Sequence, residues 1–185
     1  MKYSKQVINN TVLRYMSGGM NNDDILDSFL MMKMSNDFNE EYSLGKKAPS
    51  LSDIKNELLG TDVMEEKDYN VKMFGIVNIS VTRLSVKISP TCTLNIENVR
   101  GALQAKLNEK NRTTMSLQTT KAKDVAMWII RQKENYENYL DEWNSVMKAV
   151  SKKAKGNRMS MLAIKAIFTE AMKEYPNLCY DLEEQ

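Results

Sequence analysis

The stretch "VAMWIIRQKENYENYLDEWNSVMKAV", residues 125–150, carries a regular stripe of apolar and aromatic side chains. With Gln132 in the remaining slot, the steps between successive stripe positions alternate between four and three residues along the whole stretch. This spacing is typical of a helix that packs along its full length against another helix. The stripe consists of Val125, Ile129, Tyr136, Tyr139, Trp143, Val146 and Val150.

The helix that carries this stripe is predicted to run from about residue 121 to about residue 153. At about 1.5 Å per residue it would be about 50 Å long, which exceeds the width of a compact domain of this size. Tyrosine and tryptophan are enriched where proteins meet, because each has an apolar body and a polar end. We therefore expect the seven stripe residues to form a self-association interface. In the alternative, a final helix from about 158 to 175 folds back at Gly156 and covers the stripe.

Two helices are predicted near the N-terminus, joined by a turn at Gly18 and Gly19. The adjacent glycines favour a left-handed helix stop, and Asn22 is a good N-cap for the second helix. A DNA-reading helix-turn-helix is disfavoured, because the second helix has one cation, Lys33, against six acidic residues that phosphate would repel. A short helix that ends at Gly60 follows.

Alternating apolar and polar residues between positions 77 and 96 predict a small antiparallel sheet. The alternation changes phase around Thr82 and Arg83, so we expect a bulge or a turn there. A second turn at Pro90 lets the chain return as a paired strand. Such a small sheet needs a covering helix to be stable. That helix is predicted in "IENVRGALQAKLNEK", residues 96–110, from the stripe Ile96, Val99, Leu103 and Leu107.

These elements define an α+β fold that is mostly helical. It has an N-terminal helical hairpin, a small antiparallel sheet over about residues 71–97 with its covering helix, the long helix, and the final helix. We expect three regions within what is one domain overall. They are a helical N-terminal region (1–60), the small sheet with its helix (61–118), and a C-terminal helical hairpin or arm (119–185).

One segment resembles a known family. The strand, turn and helix expected in "VKISPTCTLNIENVRGALQAKLNEK", residues 86–110, are similar in pattern to the corresponding part of rhabdovirus matrix proteins. The resemblance covers 25 of the 185 residues. The sequence lacks the proline-rich late-budding motif that many members of that family carry, and its last third is predicted as helix where the family is partly stranded. The resemblance implies a role in assembly.

The composition disfavours most classes of enzyme. The sequence has no histidine, which removes the commonest general base and the commonest metal ligand. Its two cysteines, Cys92 and Cys179, lie far apart and form neither a redox motif nor a zinc motif. The seven glycines form no phosphate-binding loop. We therefore expect no enzymatic activity, no metal and no cofactor, although a carboxylate-dependent enzyme stays formally open.

The location of the protein is predicted from its apolar segments. No apolar run approaches the roughly 20 residues that cross a bilayer. No apolar segment follows the basic start of the sequence to form a secretory signal. We expect an intracellular protein, cytoplasmic or virion-associated, that is not secreted and has no transmembrane segment.

Charge is segregated along the sequence although the net charge is only +2. Residues 1–70 carry 8 basic and 12 acidic residues, residues 71–158 carry 16 and 7, and residues 159–185 carry 2 and 5. This segregation allows a polyanion partner for the basic middle, head-to-tail attraction between copies, or neutralisation within one chain. Cations at a helix end are also favourable without any partner. The candidate polyanion-binding residues are Arg112, Lys121, Lys123, Lys148, Lys152, Lys153, Lys155 and Arg158.

We expect a non-enzymatic interaction or assembly protein that self-associates through its long helix. A viral or phage structural, matrix or adaptor protein has this character. The expected partners are other copies of the chain, then a nucleic acid or an acidic protein, and more weakly a membrane surface; no small-molecule substrate is indicated. The alternative is a nucleic-acid-associated protein that binds phosphates through the basic region 100–158. Base stacking is not indicated, because the basic cluster contains no aromatic residue.

Overall fold

The computed structural model of the chain describes residues 5–18, 22–42, 45, 47–59, 64–73, 75, 77–108, 114–119, 121–155 and 158–178. Five helices and five strands lie in these ranges. In chain order they are α1 (Lys5–Ser17), α2 (Asn22–Glu41), α3 (Leu51–Glu57), β1 (Met64–Met73), β2 (Val77–Ser89), β3 (Cys92–Val99), β4 (Ala102–Leu107), β5 (Met115–Ser116), α4 (Ala122–Ala154) and α5 (Met161–Lys173). The fold is α+β and mostly helical, as the sequence predicts.

Two compact units make up the chain. Unit 1 comprises Met1–Asp37 and Asn135–Gln185, and unit 2 comprises Phe38–Glu134. The helices α2 and α4 each begin in one unit and end in the other. This division differs from the three consecutive regions expected from the sequence, because the two ends of the chain belong to the same unit.

The N-terminal helical hairpin in unit 1 is confirmed. The helix α1 ends before Gly18, whose φ of 62° lies in the left-handed region that glycine reaches without strain. The Arg14 guanidinium donates a hydrogen bond of 2.6 Å to the Ser28 hydroxyl, which links α1 to α2. Gly19, the second residue of the predicted turn, lies outside the described residues.

Unit 2 contains an antiparallel meander of five strands in the order β1-β2-β3-β4-β5. Pairing between β1 and β2 is continuous over all ten residues of β1. The bulge or turn expected at Thr82 and Arg83 therefore does not occur in β2, all of whose residues are described. The change of phase has another cause. Val81 and Leu84 lie on opposite faces of one strand and both are buried, so the middle of β2 is apolar on both faces.

The covering helix predicted over residues 96–110 is wrong, because this segment contributes to a β-hairpin. Arg100 and Gly101 join β3 to β4, and their φ angles of 53° and 82° are both positive. Two such residues are typical of the type I′ turn, whose twist matches that of the flanking strands. The Asn98 side chain accepts a hydrogen bond of 2.9 Å from the Gly101 amide and fixes this turn. The apolar residues alternate along two strands, and Leu94, Ile96, Leu103, Ala105 and Leu107 are buried.

The hairpin also bears on the resemblance to matrix proteins. That resemblance depended on a strand, a turn and a helix in residues 86–110. Over the described part of this segment, residues 86–108, the fold has strands and turns and no helix.

The short helix α3 packs on the sheet in unit 2. It begins after Ser50, whose hydroxyl accepts a hydrogen bond of 3.1 Å from the Asp53 amide as a helix N-cap. Leu51, Ile54 and Leu58 are buried, and α3 contacts β2 and β3. The apolar face of α3, about two turns long, therefore covers part of the sheet in place of the helix expected over residues 96–110.

The polar, threonine-rich segment at residues 111–124 contains the short edge strand β5. The Leu117 amide donates a hydrogen bond of 3.0 Å to the Leu103 carbonyl. Met115 and Leu117 are each 2% exposed. Their burial offsets the cost of ordering the surrounding polar residues.

The long helix and the final helix are confirmed. The helix α4 begins and ends within one residue of the predicted bounds. The Ser160 hydroxyl accepts a hydrogen bond of 3.2 Å from the Ala163 amide and caps α5. The turn predicted at Gly156 lies outside the described residues. None of the helices within the described ranges combines the length and apolar character that a membrane crossing requires.

Candidate polyanion-binding surface

The apolar stripe on α4 is buried within the single chain. The exposed fractions of its seven side chains lie between 0% and 5%. Their apolar surface is therefore already covered in this conformation, and the stripe forms part of the core of the chain. Whether copies associate through other surfaces stays a prediction. The residues concerned are Val125, Ile129, Tyr136, Tyr139, Trp143, Val146 and Val150.

Aromatic rings from two other helices cover Trp143 in the middle of the stripe in unit 1, and a ring from a third helix packs on one of them. The Trp143 ring stacks on Phe29 of α2, with the ring centroids 4.6 Å apart, and on Phe168 of α5, at 6.1 Å. Tyr15 of α1 meets Phe168 edge to face at 5.5 Å. The alternative in which the final helix covers the stripe is thus supported by Phe168. The contribution of α2 was missed, because the sequence does not show which apolar helix faces which.

Tyr139, one of the aromatic stripe residues, contacts the buried cation Lys33. This lysine is 1% exposed, and its Nζ lies 2.6 Å from Oδ2 of Asp37 and 4.6 Å from the centroid of the Tyr139 ring. A buried ammonium requires such compensation for its lost hydration, and an aromatic face supplies part of it. Lys33 is therefore an internal cation of unit 1 and is not part of its charged surface.

Glu142 anchors the segment that follows α5. Its carboxylate accepts hydrogen bonds of 3.0 Å from the Asn177 amide, 2.8 Å from Asn177 Nδ2 and 3.1 Å from the Leu178 amide. Leu178 is fully buried. Glu142 is the last acidic residue before the cations at the end of α4. These hydrogen bonds to its carboxylate come from uncharged donors.

Five cations at the end of α4 and in the connection to α5 are exposed, and we call them the basic cluster. Lys148 and Lys152 are four residues apart and project from one side of the helix. Among the described carboxylates, none forms an ion pair with any member of the cluster. Between Glu142 and Glu170 the sequence has six cations, the sixth being Lys165, and no acidic residue. The members of the basic cluster are Lys148, Lys152, Lys153, Lys155 and Arg158.

Of the remaining polyanion-binding candidates, those that the structure describes belong to unit 2, whereas the basic cluster belongs to unit 1. Lys121 and Lys123 are exposed at the beginning of α4, which belongs to unit 2. Here the Thr119 hydroxyl accepts a hydrogen bond of 3.2 Å from the Lys121 amide and lies 3.1 Å from the Asp124 carboxylate. These bonds order the start of α4. Arg112 lies outside the described residues.

Arg131, another cation of α4, is held within unit 2. Its guanidinium donates two hydrogen bonds to the Glu41 carboxylate, one of them at 2.8 Å, and contacts the Tyr42 hydroxyl at 3.4 Å. These bonds hold the pKa of Glu41 below its usual range and raise the pKa of Arg131 further above neutrality. Burial, together with the Glu41 charge, raises the pKa of Tyr42. Because Arg131 is paired, it contributes less free positive charge than the basic cluster.

Two apolar side chains in the first turn of α5 are exposed directly after the basic cluster. Leu162 is 77% exposed and Met161 is 36% exposed, whereas Ile164 and Phe168 of the same helix are buried. Sequence reasoning missed this feature, although Leu162 falls outside the stripe that Ile164 and Phe168 share. A groove of about 270 Å³ runs along this side of α5. It is lined by Leu162, Lys165, Ala166, Thr169 and Glu170.

Metal-ligand geometry and known relatives are the other possible indications of function. Within the described parts of the chain, no three cysteine or acidic side chains are grouped closely enough to hold a metal ion. Comparisons with protein-family models, with curated proteins and with solved structures gave no match. The basic cluster and the apolar residues beside it are the surface from which a function can be argued.

Proposed function

We propose that the protein is a non-enzymatic interaction protein that binds a polyanionic partner through the basic cluster. The observation that carries this proposal is the exposure of five cations that have no ion pair to a described carboxylate. Like charges held close together repel one another, and a polyanion removes that repulsion and releases bound counterions. Binding of this kind does not require a pocket in the protein.

A favourable helix end accounts for only part of the basic cluster. Lys152 and Lys153 lie in the last turn of α4, where the helix dipole favours cations. Lys155 directly follows the end of the helix and is favoured in the same way, whereas Lys148 precedes that turn and Arg158 lies four residues beyond the end. The dipole effect falls off within one turn, so it gives no reason for Lys148 and Arg158.

The test is binding of the full chain to a DNA duplex, used as a polyphosphate probe of known charge. The triple variant Lys152→Glu, Lys153→Glu and Lys155→Glu should bind about 100-fold more weakly at low salt, since each lysine near an anionic surface contributes about 1 kcal/mol. A matched control reverses three lysines of unit 2 that are not polyanion-binding candidates, Lys47, Lys55 and Lys87, and should lose at least tenfold less. Equal losses in both variants would remove the basic cluster from its assigned role.

Assembly of copies of the chain is the second candidate, and charge segregation within unit 1 favours it. Asp23 and Asp24 are exposed in the first turn of α2, and the basic cluster belongs to the same unit. Oppositely charged ends of neighbouring copies attract each other head to tail. A viral or phage structural role and an intracellular location belong to this candidate as predictions. Mass measurement at low and high salt tests it, and a strict monomer at tens of micromolar in low salt would rule it out.

A further inference from the structure

Leu162 is the most exposed large apolar side chain among the described residues of the protein. It lies in the first turn of α5, which the Ser160 cap holds in place. Helical geometry therefore fixes where this side chain projects. An isolated exposed leucine is ordinary, but this one, with Met161 beside it, directly follows the basic cluster.

The sequence around Leu162 carries a run of positive charges that ends at Glu170, which lines the same groove. The 27 residues from Trp143 to Thr169 contain six cations and no acidic residue. One of these cations, Lys165, is three residues after Leu162 and lines the same groove. A lysine in this position can lay its aliphatic stem along an apolar layer while its ammonium group reaches the polar boundary.

We infer that the polyanion bound by the basic cluster is an anionic lipid surface, into which Leu162 and Met161 insert; this inference rests on the proposed function. A bilayer surface presents phosphate and carboxylate groups next to an apolar layer, and so matches both halves of the surface. A nucleic acid offers its phosphates but gives an exposed leucine nothing to bury against. Proteins that hold single strands stack bases on aromatic side chains, and residues 148–165 contain none.

For attachment to a bilayer, neither the basic cluster nor the two apolar side chains are sufficient alone. Charge attraction without insertion is screened as salt rises, and one leucine with one methionine buries too little apolar area for stable anchoring. Together they give reversible attachment. Binding should therefore require anionic lipid, weaken with salt, and depend on the side chain at position 162.

The experiment measures binding of the full chain to phosphatidylcholine vesicles with about 30% phosphatidylserine, to pure phosphatidylcholine vesicles, and to the DNA duplex. Leu162→Gln removes the apolar side chain without changing charge. It should weaken binding to the anionic vesicles about tenfold or more and leave duplex binding unchanged. The matched control is Leu59→Gln, because Leu59 is 73% exposed but lies in unit 2. This control should bind the vesicles as the native chain does.

The outcomes separate this inference from the proposed function. Binding to the duplex without binding to anionic vesicles would overturn the inference and identify a nucleic acid as the better partner. Vesicle binding that Leu162→Gln leaves unchanged would also overturn it, since attachment would then be purely electrostatic. Failure to bind either probe at low salt would overturn the proposed function itself. Equal binding to neutral and anionic vesicles would contradict both the charge argument and the inference.

Discussion

Phe168 tests whether the stripe on α4 is covered by its own chain. Its ring is fully buried and lies against Trp143 on one side and Tyr15 on the other. The substitution Phe168→Ala should lower the free energy of unfolding by about 3–5 kcal/mol, since it removes a buried ring and leaves a cavity. With a urea dependence of about 2 kcal/mol per molar, the unfolding midpoint should fall by about 1.5–2.5 M.

Urea unfolding followed by far-ultraviolet circular dichroism measures this loss. Leu162→Ala on the same helix is the matched control, and its exposed side chain should cost no more than about 0.5 kcal/mol. Should Phe168→Ala leave too little folded protein, Phe168→Leu should still show a loss of about 1 kcal/mol. In about 1 M salt, which screens head-to-tail attraction between copies, the native midpoint should not change between about 1 and about 100 µM protein, because the stripe is covered within one chain. Equal losses for Phe168→Ala and the control, or a midpoint that rises with concentration, would refute an intramolecular core.

Three further changes probe separate contacts. Glu142→Ala removes the acceptor for three hydrogen bonds, and exchange of the Leu178 amide hydrogen should accelerate about 10- to 100-fold; an unchanged rate would show that the anchor adds no stability. Arg100→Asn places a residue tolerant of positive φ in the hairpin turn and should raise the free energy of unfolding by about 0.5 kcal/mol, and so raise the urea midpoint slightly; a lower midpoint would argue against that turn. The Glu41 pKa is lowered from 4.5, so the ion pair stabilises the fold above that pH and its contribution disappears as the pH falls. Arg131→Gln should therefore cost less than about 1 kcal/mol at about pH 7, because the pair is solvent-exposed, and progressively less as the pH falls below the lowered Glu41 pKa; a cost independent of pH would contradict the pairing.

The long helix was predictable because its periodicity is sustained over 26 residues, which one strand cannot match. The hairpin at Arg100 and Gly101 was not predictable. Over so short a stretch, Ile96 and Leu103 fit a helical spacing and a strand alternation equally well. The deciding signal was local: glycine at the second turn position and the Asn98 side chain that bonds its amide. A two-residue turn of this kind outweighs a weak helical stripe.

The basic cluster was predictable from the sequence, but the exposure of its side chains was not. A run of cations without acids is visible in the residues from 148 to 158, but exposure depends on what else packs there. The burial of the stripe within one chain was unpredictable for the same reason. Aromatic side chains suit a subunit contact and a core equally, and only the positions of Phe29 and Phe168 decide between them.

The salt dependence of binding tests the central claim most directly, namely that five cations of the basic cluster contact a polyanion. For a DNA duplex the logarithm of the binding constant falls with the logarithm of salt concentration by about 0.9 per phosphate contact. Five contacts give a slope of about −4.5, and the variant with Lys152, Lys153 and Lys155 reversed to glutamate, left with two, should give a slope of about −1.8. Equal slopes for the two proteins would contradict the claim.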